Sequence, residues 1–201
     1  MISGTELKIL QILFNDLTCS FTKREISIAL ALPYAQTHRS IGSLVEKGLI
    51  IQKKQGKSIM ISLNLTMFKP EYAGVEMVRA EEIMKKYNTI RLIVQDLERV
   101  RSLQYICVLF GSHADQTAKR DSDIDLLFII PEDYDTNIFE KSVKGAITIK
   151  DVDISITTER GVIDMWNTSQ RVNVANEILK KHIVLRGAEA FLRLRKRYYV
   201  G

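Results

Sequence analysis

Asp123 and Asp125 stand two residues apart, downstream of a Gly111-Ser112 pair and a polar loop. An apolar run, Ile106–Phe110, leads into the glycine, and a second, Leu126–Ile130, follows the carboxylates. Side chains alternate along a strand, so Asp123 and Asp125 point to the same face if their segment is extended. Two carboxylates held that close repel each other unless a cation lies between them. A hard divalent ion such as Mg2+ (or Mn2+) suits the pair, because one or two carboxylates bind it and substrate phosphates complete its shell.

The elements that must position these groups follow from the same stretch: a strand, a tight glycine turn, a loop, and a second strand carrying the carboxylates. Gly111, Ser112, Ala114, Ser122, Asp123 and Asp125 fall at the spacing of the DNA polymerase beta nucleotidyltransferase superfamily. The chain resembles in particular its small prokaryotic branch, the minimal nucleotidyltransferases. The resemblance covers residues 104 to 157 well and the remainder of the domain loosely. One departure is Gln116, where many members carry a second glycine, and a bulkier residue there would alter how a triphosphate packs. The resemblance implies that Gly111, Ser112 and Ser122 bind nucleotide. It also implies a third carboxylate on a later strand. The β-branched run Ile147–Thr157 supplies it, with Asp153 flanked by Val152 and Ile154. Asp151 lies on the same face two residues earlier, so the pair offers two candidates, of which the apolar flanks favour Asp153. Asp123, Asp125 and Asp153 would then hold the metal, and Asp153 would take the proton of the attacking hydroxyl. The competing account makes Asp151 and Asp153 ordinary solvent-side residues of an edge strand.

With 201 residues, the chain has room for one large domain or two small ones. Its 46% hydrophobic fraction is that of a globular protein, and no apolar run reaches the roughly 20 residues of a membrane span. The N-terminus lacks the pattern of a signal peptide, and two cysteines make no disulfide framework, so the expected location is the cytoplasm. No zinc-spaced Cys/His cluster and no GxxxxGK[ST] loop is present. His113 and His182 are isolated and read as neither ligand nor catalyst. Charge is uneven: residues 1–65 carry eight basic and four acidic side chains, residues 66–179 fourteen and nineteen, and residues 180–201 seven and one. A basic front, an acidic middle and a basic tail suggest separate tasks.

In the front segment, apolar residues recur at helical spacing over Thr5–Asn15. Thr22 and Glu25 form a capping-box pattern before a second helix reaching about Leu30. A third helix opens at Pro33 and ends at Gly48, a C-cap glycine. A hairpin through Gln55-Gly56 follows, with Lys53, Lys54 and Lys57 at its tip. Three helices and a basic hairpin resemble a winged helix-turn-helix. That resemblance implies that Ile41, Leu44 and Val45 pack inward while Gln36, Thr37, Arg39 and Ser40 face a DNA major groove. Lys53, Lys54 and Lys57 would meet phosphates. A winged helix used only for protein contacts is the alternative, since fold alone does not settle function.

Glu71–Arg101 reads as a long connecting helix, continuous or interrupted, with an apolar seam at Ala80, Ile83, Tyr87, Ile90, Val94 and Leu97. The seam either pairs two copies in a homodimer or packs on the second domain; three heptads favour packing. After Asp153 the chain implies a helical stretch over 167–180, a short strand at 182–185, and a last helix from Gly187 to Tyr199. Arg193, Arg195, Lys196 and Arg197 of that helix would contact phosphates, or simply form a solvated cationic end. The expected fold is therefore α+β: a winged helix-turn-helix over 1–66, a connecting helix over 67–103, and a small mixed-sheet nucleotidyltransferase fold over 104–201. The expected activity is metal-dependent transfer of a nucleoside monophosphate from an NTP, ATP first, to an unknown acceptor. A partner toxin is one such acceptor, because minimal nucleotidyltransferases often act as antitoxins, and a fused DNA-binding domain fits autoregulation. The rival is a DNA-binding regulator whose second domain senses nucleotide or is inactive.

Overall fold

The computed structural model describes residues 2–100, 104–168, 177, 178 and 180–200. Most of the 167–180 stretch expected to be helical lies outside the described residues.

The front unit contains α1 (Gly4–Asn15), β1 (Phe21–Thr22), α2 (Lys23–Ala29), α3 (Tyr34–Glu46), β2 (Ile50–Gln55) and β3 (Ser58–Leu63). Ser3 with Glu6 caps α1, and Thr22 with Glu25 caps α2, each as a reciprocal capping box. Pro33 stands at the N-cap of α3. That helix ends in a Schellman motif: Gly48 (φ 67°) donates to Val45 O at 2.9 Å and Leu49 donates to Leu44 O at 3.0 Å. The three strands run antiparallel in the order β1-β3-β2. The core joins Leu10, Leu13 and Phe14 of α1 to Ile26, Ile41, Leu44, Ile50 and Ile61. Tyr72, Val75 and Leu192, from beyond the front unit, complete it.

The long connecting helix is two helices, α4 (Pro70–Lys86) and α5 (Asn88–Leu97). Tyr87 breaks it with an extended backbone (φ −121°, ψ 102°), and its ring packs edge-on against His113 at 5.0 Å. The break turns α5 under the second sheet. Ala80, Ile83, Ile90 and Leu97 are buried there, so the apolar seam is satisfied within the chain.

The second sheet holds β4 (Ile106–Phe110), β5 (Ile124–Ile130), β6 (Val152–Thr158) and β7 (Ile183–Arg186) in the order β6-β5-β4-β7. It is mixed: β5 and β6 run parallel, and the other pairs are antiparallel. Cys107, Leu109, Leu126 and Phe128 face α5 and α7 (Thr136–Ala146). Val108, Phe110, Leu127 and Ile129 face α8 (Glu159–Asn167) and the last helix, α9 (Ala188–Val200). Both faces are covered, which explains why β4 and β5 read as continuous apolar runs.

A buried ionic junction ties the two units together. Glu76 on α4 accepts from Arg79 Nη1 at 2.9 and 3.0 Å and lies 3.1 Å from His182 Nε2. Arg79 Nη2 also donates to His182 O at 2.7 Å. Arg195 is 2% exposed, with its guanidinium over the Phe14 ring at 5.6 Å. Arg195 is therefore not a surface phosphate contact: the helical period that buries Phe191, Leu192 and Leu194 carries it inward too. Arg193 stacks on Phe68 and pairs with Glu189, Arg197 pairs with Glu159, and Lys196 is exposed. No helix among the described residues is long and apolar enough to cross a membrane.

Candidate active site

The strand ends bring the sequence-selected groups to one edge of the mixed sheet. Phe110, the last residue of β4, lies opposite Asp125, and Asp125 in turn lies opposite Asp153. Asp125 shares its face with Leu127 and Ile129, and Asp153 lies in register on the neighbouring strand, so the two carboxylates are side by side. Asp151 precedes β6 with φ 59°, and its carbonyl accepts from Ile124 N at 2.9 Å. The register thus places Asp153, not Asp151, directly across from Asp125. Asp123 sits one residue before β5 and is exposed.

Gly111 opens a single helical turn, α6 (Gly111–Ala114), with φ 64°. A Cβ at this position would lie 2.1 Å from Asp125 Oδ2. Glycine is therefore required twice, by the left-handed backbone and by the carboxylate packed against it. The following loop is tied back to the turn, since Thr117 N and Ala118 N donate to Ser112 O at 2.9 and 3.0 Å. Ser122 Oγ accepts from Lys119 N at 2.9 Å. Gln116 is left-handed (φ 60°), which accounts for a glycine preference there, and its Oε1 accepts from Lys86 Nζ at 2.9 Å.

Burial, and then the charges of Asp153 and Asp123, hold the Asp125 carboxyl above its ordinary range, while His113 pulls the other way. Glu177 adds a further negative charge. Neither His113 nor Glu177 is singled out by sequence pattern. His113 is buried, with Nδ1 3.1 Å from Asp123 O, so it braces the backbone that presents the first carboxylate. The donor set, carboxylate oxygens with an excess of negative charge, fits a hard divalent cation. The side chains are not drawn into a closed cage: among the described residues no three His, Cys, Asp or Glu side chains converge at metal-binding range.

The residues assigned to DNA lie far along the chain from this edge and divide among themselves. Lys53, Lys54, Lys57 and Arg39 are exposed and Ser40 is half-buried. Thr37 is fully buried and donates its hydroxyl to Pro33 O at 3.3 Å, so it faces the core and not a groove. Gln36 Nε2 donates to Thr5 Oγ1 at 3.0 Å, which turns it toward α1. Tyr34 and His38, with ring centroids 6.1 Å apart, occupy the outward side of α3 instead. Ile41 and Leu44 pack inward as expected, and Thr37, four residues before Ile41, shares their buried face.

The model of the family described as polymerase beta, nucleotidyltransferase, matches residues 88–189, half of the chain. The chain belongs to this nucleotidyltransferase family. The match runs from the first residue of α5 into α9 and includes Gly111, Ser112, Asp123, Asp125 and Asp153. Membership in the nucleotidyltransferase family implies a nucleotide substrate. The front unit, residues 2–66, lies outside the match. No curated protein and no solved structure matched the chain.

Proposed function

We propose that the chain transfers a nucleoside monophosphate from an NTP, with ATP the first candidate, to an acceptor hydroxyl, and that residues 1–66 act as a winged helix-turn-helix carrying this chemistry to DNA. The observation that carries the reading is the placement of Asp125 between Asp153, opposite it on β6, and Gly111, which packs on its carboxylate, within the span of the family match. Asp123, Asp125 and Asp153 would hold Mg2+ or Mn2+, which neutralises charge on the triphosphate and on the departing pyrophosphate. The Ser112 hydroxyl and the main-chain N–H groups of the turn bind the distal phosphates. Ser122, whose oxygen already accepts from Lys119, keeps its hydroxyl hydrogen for a phosphate oxygen. Asp153, exposed at the strand end, takes the proton of the attacking hydroxyl.

In the front unit, Lys53, Lys54 and Lys57 bind DNA phosphates, and Arg39, with Gln36 and Ser40 behind it, approaches base edges. The acceptor is a protein side chain, a small molecule or a nucleic-acid end, with a partner toxin one candidate, and a homodimer would double the basic surface. A second reading, a DNA-bound regulator that senses nucleotide without turning it over, is favoured by Gln116, which fills a backbone position suited to glycine. Pyrophosphate release from each NTP, with Mg2+ or Mn2+, separates the two readings. Metal-dependent release supports transfer. Absence of release together with nucleotide-dependent DNA retardation on a gel would sink the enzyme reading.

A further inference from the structure

A cavity of about 290 Å³ lies between the front unit and the turn that begins with Gly111. Lys8, Gln11 and Asn15 of α1 form one wall, and Arg79, Glu82 and Lys86 of α4 form another. Ile12, Ile83 and Ile183 make an apolar floor, and Ala114 and Gln116 close the end nearest the site. The strand order separates this cavity from the carboxylates. Asp125 and Asp153 sit on β5 and β6, whereas Ile183 pairs with Leu109 from the β7 side of β4. The short helix α6 thus has Gly111 against the Asp125 carboxylate at its first residue and Ala114 in the cavity wall at its last.

The lining chemistry selects an anion with an apolar body. Arg79 is already paired with Glu76, so the cations left for a ligand are Lys8 and Lys86; they face a single carboxylate, Glu82, which accepts from Gln11 Nε2 at 2.9 and 3.0 Å. The amides of Asn15 and Gln116 supply donors and acceptors above an aliphatic floor. The volume is at the small end of ligand pockets, roughly 300 Å³, which admits a mononucleotide but not a macromolecular segment. Gln116 adds an independent sign. A non-glycine residue in the left-handed region costs on the order of 1–2 kcal/mol, and backbone held against its preference is a mark of function. What this chain keeps at that cost is a side chain that enters the cavity and is held there by Lys86.

We propose that this cavity binds a small phosphorylated ligand of nucleoside monophosphate size, separate from the transferred nucleotide, with its phosphate on Lys8 and Lys86 and its body on the aliphatic floor. Gln116, which lines the cavity and belongs to the loop tied to Ser112, connects occupancy to the turn at Gly111. The inference does not require turnover, so its failure and that of the transfer reading are separable.

Isothermal titration of the full chain with AMP, and separately with inorganic pyrophosphate, tests it in EDTA, where the carboxylate site has no metal. The expected result is AMP binding to the wild type and to Asp125→Asn within about twofold of each other, and binding at least about tenfold weaker in Lys8→Glu and Lys86→Glu. Lys8→Gln, with thermal melting as the fold control, guards against a misfolded charge-reversal variant and should also weaken AMP. Equal binding by all lysine variants, loss of binding in Asp125→Asn alone, or no AMP binding by the wild type overturns the proposal. Pyrophosphate binding without AMP binding overturns its nucleoside part.

Discussion

Replacing Asp125 with Asn should stabilise the metal-free protein near neutral pH and remove most of the stabilisation that Mg2+ gives. Burial, then Asp153 and Asp123, raise the folded-state pKa of Asp125 above its unfolded value. A group shifted in that direction contributes stability that is complete below the unfolded carboxylate range and is lost as pH rises through the folded value. At about pH 7 the ionised carboxylate therefore works against the fold. Opposed strand residues lie about 5 Å apart, where two unit charges repel by about 1 kcal/mol in water and about 3 kcal/mol at an effective dielectric of about 20. Asp153 is exposed and Asp125 only half-buried, so solvent screening puts the effect at the lower end, about 1 kcal/mol. For a chain of this length, that raises the melting temperature by about 2–4 °C. Mg2+ at tenfold its dissociation constant adds about 1.4 kcal/mol to the wild type by mass action and little to the variant. Thermal melts followed by circular dichroism, in EDTA and then in Mg2+, read both quantities. A variant that melts at or below the wild type in EDTA and gains the same increment from Mg2+ would refute the reasoning.

Glu76→Gln should cost about 3–5 kcal/mol in urea unfolding, because Arg79 and the other buried cation, Arg195, lose their counter-ion. Burial alone would raise the Glu76 carboxyl, but Arg79 and His182 outweigh it and lower it to about 2. Its stabilisation is thus present above the unfolded value and lost as pH falls from the ordinary carboxylate range toward about 2, a loss that the Gln variant should not show. Gly111→Ala should destabilise the fold by about 1–2 kcal/mol through its positive φ. The new Cβ would displace the Asp125 carboxylate, so pyrophosphate release should fall further than stability explains. Substituting Lys53, Lys54 and Lys57 with Ala should weaken DNA binding and lower the slope of log affinity against log salt by roughly one per lysine that contacts a phosphate. An unchanged slope in fluorescence anisotropy would remove the hairpin from the interface.

What could be read in the sequence was local. Ile106–Phe110, Gly111 and the period-two Asp123-Ile124-Asp125 specify strand, turn and face without tertiary information. The choice between Asp151 and Asp153 was not local: both have the same parity, and only the parallel register of β5 on β6 sets Asp153 beside Asp125. Tyr87 carries no breaker signal. Its heptad-like neighbours made one helix plausible, and the bend exists because Ile90, Ile93 and Leu97 gain a place under the sheet. Thr37 and Arg195 show the same limit in side chains. A small β-branched hydroxyl can be buried once its hydrogen finds Pro33 O, and an arginine can be buried beside Glu76 and the Phe14 ring, but composition records neither partner.

The central claim is that Asp125 and Asp153 form one carboxylate site for nucleotidyl transfer. Pyrophosphate release in Mg2+ from the wild type, Asp153→Asn and Asp151→Asn tests it most directly. The account predicts release by the wild type, a loss of about a hundredfold or more in Asp153→Asn, and a change of no more than a few fold in Asp151→Asn. Release that survives in Asp153→Asn but is lost in Asp151→Asn, or no release by the wild type with any NTP, would contradict it.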